Sequence, residues 1–164
     1  MALPLFISEI PLIKKLEFNR LALIIGALLP DIIDKPILLL GLGSGRLLSH
    51  NIFFILIAFL ILFLFTKRNL KISIPFLVGL TIHLILDLPE VPLFYPLISY
   101  NFLILEEPLL VWFSKLFNDP VVIMTELIGI AILIFIVINN KLYQKKNINE
   151  YLRGSYHTIL IKKE

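Results

Sequence analysis

Cysteine is absent from the 164 residues. That excludes a disulfide framework and any thiolate metal site, and leaves the redox compartment open. Charge is scarce too. Asp, Glu, Lys and Arg make up 16% of the chain, against about 25% in an ordinary soluble domain. Hydrophobic residues reach 59% and the mean hydropathy is +0.95. A core of this size cannot hide so much apolar surface from water, so the lipid bilayer is the expected solvent and partner. The net charge of +3 is small and points to no nucleic-acid partner. No internal repeat is visible, and oligomeric state is not readable.

What is present is a series of apolar runs, which predicts an all-α, polytopic helical membrane protein of about four spans. Ile52–Phe65 is uninterrupted and has polar ends. Ile72–Leu88 and Val121–Ile138 are further runs. A spanning helix needs about 20 residues, which each run reaches with its flanks. Leu21–Leu40 is interrupted by Pro30, Asp31, Asp34, Lys35 and Pro36. Two prolines there predict a helix to Leu29, a polar break, and a second apolar piece. Met1–Ile13 is apolar but too short to span and lacks the basic start and cleavage site of a signal peptide. It reads as a partly inserted or interfacial segment. Gly41–Gly45 reads as a flexible loop, and Glu90–Asp119, rich in prolines and aromatics, as a re-entrant or interfacial segment. Residues 1–146 thus form one helical membrane domain, and 147–164 a basic polar tail.

Cations assign the sides. Lys14, Lys15 and Arg20 precede the first run. Lys67, Arg68 and Lys71 separate the second and third. Lys141, Lys145, Lys146, Arg153, Lys162 and Lys163 follow the last. Placing these in the cytoplasm threads four spans without conflict, leaves the C-terminus inside, and puts only Lys35, Arg46 and Lys115 outside. Tyr95, Trp112 and Tyr143 then read as interface anchors.

The same threading collects Asp31, Asp34, His50, His83, Asp87 and Glu90 in one layer near the outer surface. An ionisable group at membrane depth costs about 2.5–3.5 kcal/mol on insertion scales, so it needs a partner or a task. His83 and Asp87, four residues apart, share a helix face. Asp31 and Asp34 share one if their stretch is helical. His50 opens the next run, with Ser49 before it as an expected N-cap. Carboxylates with imidazoles suit a divalent metal ion, Zn²⁺ foremost and otherwise Mn²⁺ or Fe²⁺, over Ca²⁺. The ligands would be Asp31, Asp34, His50, His83 and Asp87. A spare carboxylate (Asp34 or Glu90) would act as base, and Arg46 would clamp an anion. Taken singly, each residue also fits a cap, a turn or a structural pair. Glu126 stands alone in the last run, and a helix-packing hydrogen bond is its expected role. His157 lies in the polar tail and has no expected chemistry.

Three segments carry a resemblance: Gly26-Ala27-Leu28-Leu29-Pro30-Asp31-Ile32-Ile33-Asp34, then Arg46-Leu47-Leu48-Ser49-His50, then His83-Leu84-Ile85-Leu86-Asp87, followed by Tyr95-Pro96. In order and spacing, from about Leu21 to Pro96, the chain resembles the membrane-bound metal-dependent hydrolases, also described as LexA-binding, inner-membrane-associated hydrolases. The resemblance implies a helical inner-membrane protein and metal-dependent hydrolysis, with Asp31, Asp34, His50, His83 and Asp87 in the motif positions. Two departures stand out. Met1–Ile13 holds no histidine where that family often has one, and Ser49 replaces a frequent threonine while keeping the hydroxyl.

The resulting expectation is a membrane hydrolase acting on an ester or phosphoester of a lipid or other membrane-borne substrate. A non-enzymatic metal-binding or ion-transporting protein is the second reading, and a structural membrane subunit the third.

Overall fold

A computed structural model describes residues 2–42, 45–101 and 108–154. The tail beyond Gly154, with His157, Lys162 and Lys163, lies outside the described residues, as do parts of the expected 41–45 loop and 90–119 segment. Among the described residues the fold is all-helical, with no strand. The helices are α1 (Ala2–Ser8), α2 (Pro11–Lys14), α3 (Arg20–Leu39), α4 (Ile52–Phe65), α5 (Leu70–Leu86), α6 (Pro108–Asn118), α7 (Pro120–Asn139) and α8 (Lys145–Arg153).

The expected break in the first long run does not occur. α3 runs unbroken for 20 residues with Pro30 and Pro36 inside it. A proline removes one backbone donor and strains the turn before it, but neighbouring groups can take up the freed carbonyls. The carbonyls that lose a donor are those of Gly26 and Ile32, one turn before each proline, while the Ser49 hydroxyl, 19 residues away, donates at 2.8 Å to the Pro30 carbonyl itself and ties the 45–51 segment to α3. That tertiary bond is invisible to local pattern. At its other end α3 is capped by Asn19, whose side chain accepts from the Ala22 amide at 2.9 Å.

α3 and α5 are the centre of the molecule and run parallel, because Gly26 lies against Phe76 and Leu80 while Gly79 lies against Leu23 and Ala27. A Cβ on Gly26 would collide with the Phe76 carbonyl, and one on Gly79 with the Leu23 carbonyl. Only glycine allows two helix backbones to approach so closely, which is how apolar helices gain van der Waals contact without help from water. Leu80, fully buried, and Phe76, Leu84, Ala22 and Ile55 form the adjoining core. α4 returns antiparallel after a turn tied by Thr66 and Ser73, whose hydroxyls lie 3.3 Å apart.

α7 is the described helix both long and apolar enough to cross a membrane. α4 and α5 are shorter apolar helices of 14 and 17 residues. Much of the outer surface is apolar: Leu56, Ile57, Leu60, Ile61 and Phe65 on α4, and Met124, Leu127, Ile134 and Ile138 on α7, are exposed. Exposed apolar area on this scale marks a surface meant for something other than water.

At the starting end of α3 lies an ionic network that sequence patterning missed. Arg20, counted above among the cytoplasm-facing cations, is only 3% exposed. Its guanidinium stands 3.2 Å from the Glu9 carboxylate and donates to the Ser8 hydroxyl at 3.2 Å and the Tyr151 carbonyl at 3.3 Å. It also lies 4.4 Å from the centre of the Tyr151 ring. Lys14 reaches Glu9 at 2.8 Å, and the Asn140 amide donates to Glu9 at 3.1 Å. One carboxylate thus joins α2, α3 and the end of α7, while Arg20 holds α8. Burial alone would raise the Glu9 pKa. Lys14, Asn140 and Arg20 together outweigh burial and hold it below the usual value. A depressed carboxylate contributes stability that is complete above the unfolded value and lost as pH falls through the folded one.

Two stability measurements check this packing. Gly79→Ala should destabilise by about 1–3 kcal/mol through overpacking. Gly129→Ala, whose new methyl would meet only the Ala2 Cβ at 3.9 Å, should be neutral or gain up to about 1 kcal/mol. Thermal unfolding in detergent that ranks the two the other way contradicts the close crossing. Arg20→Met should cost about 1.5–3 kcal/mol, the scale of lost hydrogen bonds to a charged group, and the part owed to Glu9, which keeps Lys14 and Asn140, should shrink as pH drops below the ordinary glutamate range, about 4.

Candidate metal centre

Parallel packing of α3 and α5 carries Asp31 and His83 to the same level, and the irregular segment 45–51 brings His50 between them. His50 Nε2 and His83 Nε2 are 3.1 Å apart. Asp31 Oδ1 lies 3.8 Å from the first and 3.9 Å from the second. Asp87, which caps the end of α5, puts Oδ2 3.3 Å from His50 Nε2 and 3.6 Å from His83 Nε2. The donor atoms of Asp31, His50 and His83 all fall within 4.8 Å of one another.

Those separations test whether a cation fits. Bonds of about 2.0–2.1 Å in a tetrahedron place neighbouring donors about 3.3–3.4 Å apart. The edges among Asp31, His50 and His83, at 3.1, 3.8 and 3.9 Å, lie near that value. Two imidazole nitrogens and the Asp31 carboxylate thus form a triad with the chemistry and the size for one divalent ion, with Asp87 beside the two imidazoles. The His50 ring orientation is set from behind. Asp34 Oδ2 accepts from His50 Nδ1 at 2.8 Å and from the Ser49 amide at 3.0 Å. A ligating histidine whose other ring nitrogen is held this way keeps its tautomer and direction.

Three of the five sequence-predicted ligands, Asp31, His50 and His83, meet in one group, and Asp87 lies beside the two imidazoles. Asp34 does not join them. It is 1% exposed and occupies the far side of the His50 ring, because Ser49 and His50 take its carboxylate before it can reach the centre. Ser49 is likewise not the expected N-cap. Its hydroxyl is spent on Pro30, and Asn51 caps α4 by accepting from the Phe54 amide at 2.8 Å.

The outer groups pair with one another. Lys35 Nζ lies 2.7 Å from Asp31 Oδ2, which leaves Oδ1 for the centre. Arg46, the expected anion clamp, binds the Glu90 carboxylate at 2.6 Å and the Glu90 carbonyl at 3.2 Å. Glu90, the expected base, is thus held in that ion pair. His50 precedes α4. Burial would lower its pKa, but Asp34 first and Asp87 next raise it to about 9.

Asp31, His50 and Asp87 open into an open pocket of about 760 Å³. Its opposite wall comes from α6 and α7 and includes Trp112, Lys115 and Glu126. Sequence reading placed Trp112 at the membrane interface and gave Glu126 a helix-packing hydrogen bond. In the fold Trp112 faces the pocket, with Lys35 Nζ 5.9 Å from its ring centre. Glu126 lines the same pocket and, among the described residues, makes no hydrogen bond or ion pair. The one sequence signal for this wall was Glu126 itself, a lone acid in an apolar helix.

A family model described as YdjM inner membrane protein matches residues 2–148. No curated protein and no solved structure matches the chain.

Cation uptake should follow from the state of His50. Without a bound ion its raised pKa gives a stability contribution that is complete below about 6.5 and is lost as pH rises through about 9. A cation must displace that proton, so affinity should fall about tenfold per pH unit below 9. Calorimetry in buffers of different ionisation enthalpy should record close to one proton released per ion. Affinity that does not vary between pH 6 and 8 would place the ion away from His50.

Proposed function

This chain belongs to the YdjM inner membrane protein family, and from that premise we propose that it is an integral membrane metal-dependent hydrolase whose site opens near the outer leaflet. The observation that carries the reading is the convergence of Asp31, His50 and His83, with Asp87 beside both imidazoles, inside an apolar helix bundle. In this reading α3, α4, α5 and α7 span the bilayer. The parallel α3 and α5 and the returning α4 collect Arg20, Lys67, Arg68 and Lys71 at one end, which is the cytoplasmic end by the distribution of cations. The basic tail would then be cytoplasmic. α4, at 14 residues, is about 21 Å long, some 9 Å shorter than a 20-residue helix. That shortfall leaves a recess in which His50 sits below the surface.

Zn²⁺ is the ion of first choice for this donor set, with Mn²⁺ or Fe²⁺ as the alternatives. Asp31, His50, His83 and Asp87 would hold it, with Asp34 a positioning residue that fixes His50. A bound divalent ion supplies Lewis acidity, polarising a carbonyl or phosphoryl oxygen and acidifying water. The chain's own part begins with Arg46. An anionic substrate competes with Glu90 for this guanidinium, and transfer of Arg46 to the substrate frees the Glu90 carboxylate to take a proton from attacking water. Lys35 holds Asp31 Oδ2 at 2.7 Å and leaves Oδ1 turned toward the centre. A lipid ester or phosphoester is the matching substrate, since a membrane-borne molecule reaches a recessed site directly.

The test is hydrolysis of a chromogenic phosphodiester and a chromogenic ester by the full chain in detergent, with metal content measured alongside. Wild type should hold one equivalent of metal and lose activity on chelation. His83→Ala should abolish metal and turnover together. Asp34→Asn should lower metal affinity about 10–100-fold, as loss of an outer partner does. Wild type without stoichiometric metal, or hydrolysis indifferent to chelation, ends the proposal.

A further inference from the structure

Charges on the near side of the pocket already have partners within the protein. Lys35 is 2.7 Å from Asp31, Arg46 is 2.6 Å from Glu90, and Asp87 is 3.3 Å from His50. The far wall differs. Lys115 on α6 and Glu126 on α7 both line the pocket, and among the described residues neither makes an ion pair or hydrogen bond. Glu126 is the one ionisable residue of α7, six residues or about 9 Å down from the start of that helix. A carboxylate at such depth is costly without a counter-charge, and the pocket is where one can reach it. Around the two charges the wall is apolar, with Val111, Trp112, Leu116 and Val122.

We propose that Lys115 and Glu126 form a head-group subsite that takes a zwitterionic phosphoester amphiphile, the phosphate lying toward Lys115 and the ammonium on Glu126. The charge balance favours this class over a purely anionic lipid. An anionic head would satisfy Lys115 but leave Glu126 facing a second negative charge, whereas an ammonium-bearing head neutralises both. The apolar side chains between them accept the glycerol and first methylenes, and 760 Å³ is within the usual range of small-molecule sites, about 300–1,000 Å³. This subsite rests on the hydrolase reading for its purpose but not for its detection, because binding needs no turnover.

Trp112 is the single tryptophan of the chain and lines this pocket, so its emission reports occupancy without a label. The full chain in a neutral detergent is titrated with dihexanoyl lipids of equal tail, one with a phosphoethanolamine head and one with a phosphoglycerol head. The expected result is a saturable change in emission, with the phosphoethanolamine lipid bound at least tenfold more tightly. Glu126→Gln should erase that preference by weakening the zwitterion alone. Lys115→Met should weaken both lipids about tenfold, the scale of a lost hydrogen bond to a charged group. Leu127→Ala, on the exposed apolar side of α7, should change neither. Equal affinity in the wild type, tighter phosphoglycerol binding, or a preference that survives Glu126→Gln overturns the subsite, and the wild-type comparison stands even if a variant does not fold. Repeating the titration after chelation separates the two ideas. A retained preference in a protein that never holds metal sinks the hydrolase alone, and stoichiometric metal without preference sinks the subsite alone.

Discussion

The arrangement depends on backbone contact between two parallel helices. Gly26 and Gly79 interlock α3 with α5, and the donors Asp31 and His83 follow four to five residues later on the same helices. A wider crossing would separate them by more than the 3.9 Å observed. No apolar side chain could substitute, because the approach is limited by carbonyl oxygens rather than by side-chain volume. The metal-type cluster is thus a consequence of helix packing, and the loop carrying His50 completes a geometry the helices have already set.

Polar groups within this apolar body satisfy one another in two separate places. At one end Asp34, Ser49 and the Pro30 carbonyl form a chain of bonds that fixes the His50 ring. At the other, Glu9, Lys14, Arg20 and Asn140 lock the N-terminal helices to the end of α7. Both follow one rule: a charge taken out of water is kept only with a close partner. The two networks do different work. The second joins secondary-structure elements. The first turns Nε2 of His50 toward His83, Asp87 and Asp31, at 3.1, 3.3 and 3.8 Å.

The pocket converts that cluster from a structural knot into a site with access. Its near wall carries charges paired within the protein, and its far wall carries Lys115 and Glu126 without partners among the described residues. Trp112 lies between the two, close to Lys35. Such a division of paired and unpaired charge matches a cavity that orients an amphiphile by its head, with the apolar surface of α7 adjoining.

Composition and pattern determined the class by themselves. Few charges, no cysteine and long apolar runs permit only a helical body, and spacing alone marked Asp31, Asp34, His50, His83 and Asp87 as groups needing a shared explanation. Local rules treat two prolines as a break, so they interrupted α3 where the packed helix is continuous. Nor could they separate Asp31, His50 and His83, which meet with Asp87 beside them, from Asp34, which stands behind. The burial of Arg20 and the turning of Glu126 toward the pocket also escaped them. Periodicity speaks for neighbours within a few residues, whereas Arg20 and Asp34 were placed by partners 11 or more positions away, on the irregular segments between helices.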